Sequence, residues 1–97
     1  MEGLTFTWDP NKAETNRKKH DVSFEEAQTV FYDENARLIY DPDHSRAEDR
    51  FLLLGLSTEL RLLVVSHTYR EAETVIRIIS ARRATKKEQR PYSDYLK

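Results

Sequence analysis

The chain has 97 residues, of which 34% are charged and 38% hydrophobic, and its formal net charge is −1. This length predicts one domain, residues 1–97, with a single core of modest size. The lack of cysteine excludes disulfides, thiolate nucleophiles and Cys-ligated zinc. No apolar stretch is long enough for a membrane span, and the first residues lack a signal-peptide pattern, so we expect a cytoplasmic protein without membrane contact.

The two halves of the chain differ in charge. Residues 1–50 carry 7 Lys or Arg and 12 Asp or Glu, whereas residues 51–97 carry 9 and 5, which gives net charges of −5 and +4. A nucleic-acid-binding protein needs a local basic surface rather than a basic total. The second half can supply such a surface, although a chain with this many charges is also uneven by chance.

A strand and two helices are predicted in the first third of the chain. The alternating segment Leu4–Trp8 predicts a strand. Asp9-Pro10 is typical of a helix start, and the helix is expected to run to His20 with almost no apolar stripe. Ser23 and Glu26 form a capping box, which predicts a second helix with an apolar face that ends near residue 33.

The rest of the chain predicts a meander followed by a helix. Short connections between strand-like segments favour antiparallel pairing of three or four strands. Pro91 should end or kink the last helix. The order of elements is that of an α+β domain with helices packed on an antiparallel sheet. The predicted strands are Ala36–Tyr40, Arg50–Leu56, Leu60–Thr68 and Thr74–Ser80, and the predicted helix is Ala81–Arg90.

The register of this meander decides which side chains share a face. A tight turn centred on residues 58–59 would pair Arg50 with His67, and a five-residue loop at 69–73 would pair Val65 with Arg77. A one-residue slip would scatter the polar set, so this prediction is conditional. It places Arg50, Arg61, His67 and Arg77 on one face, opposite a core of Phe51, Leu53, Leu62, Val64, Ile76 and Ile78.

Arg77 is the most informative member of the polar set, because it interrupts the apolar run VIRII. A buried arginine without a partner is very costly, so Arg77 must meet a carboxylate, solvent or a phosphate. An internal pair with Glu48 or Asp49 and an anion-binding role are equally good interpretations at this point.

Metal and serine hydrolase chemistry fit the sequence poorly. His44 lies among acidic residues in DPDHSRAEDR, but His20, His44 and His67 are far apart and no calcium-loop pattern is present. A turn-rich loop is the better interpretation of that segment. A serine hydrolase would need a G-x-S-x-G motif, and the chain has only two glycines.

Metal-free RNA cleavage fits better, because the 2′-OH of RNA is an internal nucleophile. The protein then needs a base, an acid, and cations around the phosphorane charge. Arginine suits the last role through bidentate contacts and permanent charge. The candidates are Arg61, Arg77 and Arg82 as clamps, His67 or Glu48 for proton transfer, and Tyr69 or Trp8 for base stacking. For His67, a structural role at a strand end is the competing interpretation.

Three segments, in this order, resemble the BrnT family of type II toxins over nearly the whole length. They are F-x-W-D-P-x-K-A-x-x-N-x-x-K-H-x-V-S-F-E-E-A at Phe6–Ala27, D-x-x-H-S-x-x-E-x-R at Asp41–Arg50 and R-I-I-S-A-R-x-A-x-x-x-E-x-x-x-Y at Arg77–Tyr92. The resemblance implies a RelE-like fold and a ribonuclease that inhibits translation. It also implies a BrnA-like antitoxin with a ribbon-helix-helix DNA-binding part, and a toxin–antitoxin complex that represses its own operon.

On this sequence the residues that match the family pattern are His44, Glu48, Arg50, Arg61, Arg77 and Arg82, with His67 as a weaker candidate. Residue chemistry and resemblance together give two sets, and neither includes a metal or a cofactor. The predicted catalytic residues are Glu48, Arg61, His67, Arg77 and Arg82; the predicted RNA-binding residues are Arg50, Arg83, Lys86, Lys87 and Trp8.

The expected partners are RNA and the antitoxin, in a hetero-oligomer that can include a toxin dimer. Operator DNA would be contacted only through the antitoxin. The alternative is a non-catalytic protein-binding module that acts as a corepressor component of such a complex.

Two positions depart from the family pattern. Asp21 stands where the family commonly has glycine, and it should be tolerated because Asp adopts positive φ more readily than most residues. Pro91 falls between Glu88 and Tyr92, and it should end regular pairing near Lys87, which puts a catalytic role for Tyr92 in doubt.

Overall fold

The computed structural model describes residues 4–72 and 74–95, with only the backbone of Tyr95. It is an α+β structure with a five-stranded mixed sheet in the order β1-β5-β4-β3-β2. Strands β2 to β5 form an antiparallel meander, and β1 adds to β5 in parallel at the far edge. The elements are β1 (Thr5–Thr7), α1 (Pro10–His20), α2 (Phe24–Thr29), a 3₁₀ turn (Val30–Tyr32), β2 (Arg37–Asp41), a second 3₁₀ turn (Pro42–His44), β3 (Arg50–Leu56), β4 (Leu62–Arg70), β5 (Val75–Arg83) and α3 (Lys86–Tyr95).

The predicted signals at the ends of the first two helices are confirmed. The Asp9 carboxylate accepts a 2.8 Å hydrogen bond from the backbone N–H of Asn11, and Pro10 is the first helical residue. Asp21 ends α1 at a φ of 57°, the left-handed conformation that Asp was expected to tolerate here. The Ser23 hydroxyl accepts a 3.0 Å hydrogen bond from the Glu26 N–H and so caps α2, whereas the Glu26 carboxylate binds Arg61 and Ser57.

Helices α1 and α2 cover one side of the sheet, hereafter the covered face. The polar α1 is held there by buried Asn16, whose amide donates to Val22 O at 2.9 Å and to Ala81 O at 2.8 Å. The same side chain accepts from the Ala81 N–H at 3.0 Å, so one amide joins helix and sheet. The buried apolar core on this face is Val22, Phe24, Ala27, Val30, Phe31, Leu53, Leu63, Val65, Ile76, Ile78 and Ala81.

The opposite side of the sheet is hereafter the arginine face. At one end α3 packs on it, and Ala84 and Tyr92 form a smaller apolar cluster with Leu54 and Val64. The strands also present polar side chains on this face. These residues are Arg50, Ser66, Thr68, Arg77, Ser80 and Arg82, assigned to this face because they alternate or pair with residues whose face is known.

The predicted register of the first hairpin is wrong by one residue. Phe51, not Arg50, pairs with His67. The Ser57 N–H donates to Arg61 O at 2.9 Å, and Leu60 closes the turn at a φ of 61°. This three-residue loop with a left-handed residue replaces the expected two-residue turn. His67 therefore moves to the covered face. By the same slip Leu62 and Val64, predicted in the main core, face α3.

The second hairpin also differs from its prediction. Arg77 pairs with Thr68, and Val65 pairs with Ala81 instead. The turn contains two left-handed residues, Glu71 and Ala72, at φ values of 50° and 56°. An irregularity between Ser66 and His67 adds a further shift.

The C-terminal helix was predicted too early in the chain. Residues 81–83 extend β5, and α3 begins at Lys86. A capping box sets this start, because the Glu88 N–H donates to the Thr85 hydroxyl at 3.2 Å and the Thr85 N–H donates to the Glu88 carboxylate at 2.9 Å. Pro91 lies inside α3, so the prediction that it could end the helix is wrong, whereas the alternative of a kink stays a prediction. Among the described residues, no helix is both long and apolar enough to cross a bilayer.

Candidate active site

His67, a predicted catalytic residue, lies in the core of the covered face. It has no solvent-exposed surface, and its ring meets the Phe31 ring edge-on at a centroid distance of 4.8 Å. Its Nδ1 lies 3.1 Å from Val65 O and its Nε2 lies 3.2 Å from the Tyr69 hydroxyl. Burial lowers the pKa of His67 to about 4, so the imidazole is neutral at pH 7.

Arg61 is bound into an internal ion pair on the same side of the molecule. Its Nε donates to the Glu26 carboxylate at 2.9 Å and its Nη2 donates to the other Glu26 oxygen, while Asp21 O accepts at 3.0 Å. Glu26 is buried and also accepts from the Ser57 hydroxyl at 2.7 Å. The Arg61 hydrogen bonds lower the pKa of Glu26, so both partners stay charged.

Two of the predicted RNA-binding residues also lie on the covered face. Arg83 lies 3.6 Å from the Asp21 carboxylate, which also faces Arg61. The Trp8 ring packs edge-on against Phe24 at a centroid distance of 5.9 Å and lies against the main core. Neither side chain shares the arginine face with Arg77.

A polar row crosses the arginine face near one end of the strands. Arg77 pairs with Thr7 on one side and with Thr68 on the other. Arg50 directly precedes Phe51, which pairs with His67, so Arg50 is the neighbour of Thr68 on β3. Within residues 4–72 and 74–95, neither the Arg77 nor the Arg50 guanidinium has a hydrogen bond or an ion pair with another side chain.

The internal carboxylate partners considered for Arg77 are engaged elsewhere. Glu48 accepts from Arg70 Nη2 at 3.1 Å, and Asp49 accepts from the Tyr40 hydroxyl at 3.2 Å. Thr68, between the two arginines, is fully buried, and its hydroxyl is unpartnered in the described part of the chain. This row therefore contains two uncompensated cations and an unsatisfied hydroxyl.

The DPDHSRAEDR loop brings possible proton-transfer groups next to Arg50. A cleft of about 290 Å³ is lined by Asp43, His44, Arg46, Ala47, Glu48 and Arg50. His44 is mostly exposed, and its Nδ1 lies 2.9 Å from the Asp41 carboxylate. Such a contact fixes the orientation of the ring and leaves Nε2 for other partners. No group of three or more His, Asp and Glu side chains among the described residues is arranged to hold a metal ion.

The last cationic group lies where β5 meets α3. Arg82 donates from Nη1 and Nη2 to the two Glu88 oxygens, both at 2.7 Å. This bidentate pair lowers the pKa of Glu88 to about 2. Lys86 and Lys87 are exposed in the first turn of α3. Arg82 is thus on the arginine face, with its charge compensated by Glu88.

The sequence model of a ribonuclease toxin, BrnT, of type II toxin–antitoxin systems matches residues 8–88. The chain belongs to the BrnT family. It is also similar to the 1.1 Å crystal structure of the ribonuclease toxin BrnT from Brucella abortus, with a TM-score of 0.64 and 24% identity over 86% of this chain and 99% of that chain. This second likeness supports the fold alone. None of the curated protein sequences matches the chain at a significant level.

Membership of a type II toxin family implies an antitoxin partner for this BrnT chain. The structure brings together part of the predicted site, namely Arg50, Arg77 and Arg82 on one face with Glu48 and His44 in the adjoining loop. Sequence reasoning missed Thr68 and the Asp41–His44 contact. The D-x-x-H spacing could have suggested the contact, whereas Thr68 could be recognised only once the register was known.

Tyr92 has a structural partner despite the proline beside it. Its ring is buried in the smaller cluster, and its hydroxyl donates to the Asp33 carboxylate at 2.6 Å. Burial and the neighbouring Asp33 raise the pKa of Tyr92 to about 12. Pro91 has not displaced Tyr92 from the fold.

Proposed function

We propose that this BrnT family member cleaves RNA without a metal ion, on the arginine face and the adjoining loop cleft. The observation that carries the proposal is the pair of guanidinium groups, Arg50 and Arg77, which have no anionic partner among the described residues. Isolated charges on a partly buried surface are costly, and a phosphodiester would compensate both. The 2′-OH of the RNA would serve as nucleophile, so the protein supplies only cations and proton transfer.

The proposed roles follow from position. Arg50 and Arg77 hold the scissile phosphate and stabilise the charge that develops on it. His44, oriented by Asp41, and Glu48, held by Arg70, exchange protons with the 2′-OH and the leaving oxygen. Further along the face, the RNA backbone would run toward Arg82, Lys86 and Lys87.

We assign structural roles to the four remaining members of the two predicted residue sets. His67 is neutral and enclosed by aromatic rings, and Trp8 is part of the same packing. Arg61 and Arg83 face the carboxylates of the helix layer. We therefore expect them to support the RelE-like fold, which we propose for the whole chain as one domain, rather than to contact RNA.

The direct test is cleavage of bulk RNA by the purified protein in EDTA. We expect cleavage to persist, and the fragments to carry 2′,3′-cyclic phosphates because the 2′-oxygen attacks the neighbouring phosphorus. DNA of the same sequence should not be cut. Loss of cleavage in EDTA with recovery on adding Mg²⁺ would overturn the metal-free mechanism, and equal cleavage of DNA would overturn the role of the 2′-OH.

For the antitoxin we propose a BrnA-like ribbon-helix-helix protein. The edge strand β2 exposes three consecutive large apolar side chains, Leu38, Ile39 and Tyr40, with exposed fractions of 53%, 46% and 49%. Such an edge favours a protein partner. We propose a hetero-oligomer that includes paired toxin chains, represses its own operon, and touches operator DNA only through the antitoxin.

The same exposed strand would suit the second candidate, a non-catalytic corepressor component. Induced expression separates the two. A ribonuclease should arrest growth, and co-expression of the antitoxin from the neighbouring reading frame should relieve the arrest. Normal growth, together with operator binding that needs both proteins, would favour the non-catalytic module.

A further inference from the structure

We infer that Thr68 is a phosphate-binding residue, whose hydroxyl donates a hydrogen bond to an oxygen of the phosphodiester held between Arg50 and Arg77. The inference rests on the proposed function in taking RNA as the source of that phosphate. It adds a neutral donor at the centre of the row and thereby defines a seat of three side chains from three adjacent strands.

The first observation is the unsatisfied hydroxyl itself. Thr68 has no exposed surface, and its Oγ1 is the one buried side-chain oxygen or nitrogen without a hydrogen-bond partner among the described residues. Native proteins satisfy the large majority of buried side-chain polar groups, and an exception often marks a functional position. Thr68 lies on the central strand β4, where it pairs with Arg77 of β5 and directly follows His67, which pairs with Phe51 of β3.

The second observation is the chemistry of the neighbours. Arg77 pairs with Thr68 on β5, and Arg50 is the adjacent residue on β3. Arginine carries donors only, so neither side chain can accept the proton of the Thr68 hydroxyl. Asp41, which pairs with Arg50, has one carboxylate oxygen engaged by His44. Among the described residues no acceptor bonds the Thr68 hydroxyl, and the acceptor that two neighbouring cations favour is an anion.

A phosphodiester satisfies all three groups at once. Its two non-bridging oxygens accept several hydrogen bonds in different directions, so two guanidinium groups and one hydroxyl can share it. Along the face, Ser66 and Ser80 pair with each other in the next row and continue the polar surface. The hydroxyl of Thr68 would therefore fix the phosphate position between the two arginines, as a positioning contact that is also present in the bound ground state.

The test uses Thr68→Val, which replaces the hydroxyl by a methyl group and keeps the β-branched shape, and Thr68→Ser, which keeps the hydroxyl. Thr5→Val is the matched control, because Thr5 lies on the edge strand β1, outside the row. Three quantities are measured on the full chain: inorganic phosphate binding by NMR shifts of residue 68, affinity for a 2′-O-methyl RNA that cannot be cleaved, and thermal stability.

We expect Thr68→Val to weaken phosphate and RNA binding by about tenfold, the loss of one hydrogen bond to a charged group. Its Tm should equal or exceed that of the wild type, because a methyl group replaces a hydroxyl that lacks a partner. Thr68→Ser should restore binding, and Thr5→Val should change nothing. A purely structural Thr68 would instead lower the Tm in Thr68→Val.

The experiments give different results if the phosphate-binding role of Thr68 is wrong and if the ribonuclease proposal is wrong. If the wild type cleaves RNA and Thr68→Val binds phosphate and RNA equally well, the seat is wrong and the ribonuclease proposal stands. If phosphate shifts residue 68 in the wild type but RNA is neither bound nor cut, the seat stands and the ribonuclease proposal fails. Should Thr68→Val not fold, phosphate titration of the wild type and Thr68→Ser decides, and an unshifted residue 68 overturns the seat.

Discussion

Both faces of the sheet carry arginines, but the arginines differ in whether a carboxylate lies near the guanidinium group. On the covered face Arg61 forms an ion pair with Glu26, and Arg83 lies near Asp21. On the arginine face, within the described residues, Arg50 and Arg77 lack any such partner. On the proposed assignment, an arginine in this sheet is structural where a helix brings a carboxylate to it and binds a ligand where none does. The carboxylate partner, rather than the face alone, distinguishes the two cases, because Arg82 on the arginine face is also paired, with Glu88.

The largest expected effect comes from breaking the Arg61–Glu26 ion pair on the covered face. Glu26→Ala leaves the Arg61 guanidinium and the Ser57 hydroxyl without their partner, and we expect a loss of about 3 kcal/mol in the free energy of unfolding. Urea unfolding followed by circular dichroism measures it. The matched control is Glu14→Ala, whose partners Arg17 and Lys18 are exposed, and which should have no measurable effect. Equal stability of the two variants would contradict the structural assignment.

The next effect concerns catalysis and compares one arginine from each face. Arg77→Ala should lower the rate of RNA cleavage by about 100-fold, because a cation at the developing phosphorane charge is lost. Arg83→Ala should change it by less than about threefold, since its side chain faces Asp21. Cleavage rates are compared with circular dichroism spectra of the same samples. If Arg77→Ala is unfolded, Arg77 has a structural role. If Arg83→Ala cleaves RNA more slowly than Arg77→Ala does, the active site lies on the covered face and not on the arginine face.

His67 provides a pH test of the covered face. The unfolded chain binds a proton to this residue below its ordinary pKa of about 6.5, whereas the folded protein does so only near pH 4. The unfolded state therefore binds more protons in this window, and the free energy of unfolding falls as the pH decreases from 6.5 to 4. We expect this residue to contribute a loss of about 2 kcal/mol at pH 5.

The matched measurement is urea unfolding of His67→Gln, in which the side chain at this position cannot be protonated. Its free energy of unfolding should depend less on pH across the same window, whatever its absolute stability at pH 7. The same slope in both proteins would contradict a buried neutral His67. If His67→Gln folds but has no ribonuclease activity, His67 is a catalytic residue, as the sequence predicted.

The smallest effect concerns the contact that ties α3 to the rest of the molecule. Tyr92→Phe removes the hydroxyl that donates to Asp33, and we expect a loss of about 1 kcal/mol in the free energy of unfolding. Tyr40→Phe is the control, because the Tyr40 hydroxyl bonds to an exposed Asp49. The difference between the two variants in urea unfolding isolates the buried contact. A greater loss in Tyr40→Phe would show that α3 does not depend on this hydrogen bond.

Local signals in the sequence predicted local structure well. The two predicted helix N-caps are Asp9 and Ser23, and the predicted left-handed residue is Asp21, as observed. Strand β3 runs from Arg50 to Leu56 as expected. The missed start of α3 was also local, since Thr85 and Glu88 form a capping box that was overlooked. Pro91 was misjudged because a proline ends a helix only when the lost hydrogen bond and the steric strain are not offset by packing, and here Tyr92 is buried.

The site could be predicted only in part, because its membership depends on register. Leu60 takes a left-handed conformation that nothing in its residue type announces, and this single residue lengthens the first turn. The resulting one-residue shift moves His67 away from Arg50, and the separate shift in the second hairpin places Thr68 opposite Arg77. Arg61 was misplaced because its partner, Glu26, is distant in sequence and had been recognised only as a capping residue.

The parallel ladder between Thr5–Thr7 and Val75–Arg77 also orders events during synthesis of the chain. A ribosome releases β1 long before β5 exists, whereas the hairpins of the meander need only neighbouring segments and can form earlier. Arg77 pairs with Thr68 in the last hairpin, β4–β5, so it takes its place beside Thr68 only when β5 joins the sheet. The proposed anion seat would therefore assemble only after all the strands β1 to β5 have been synthesised.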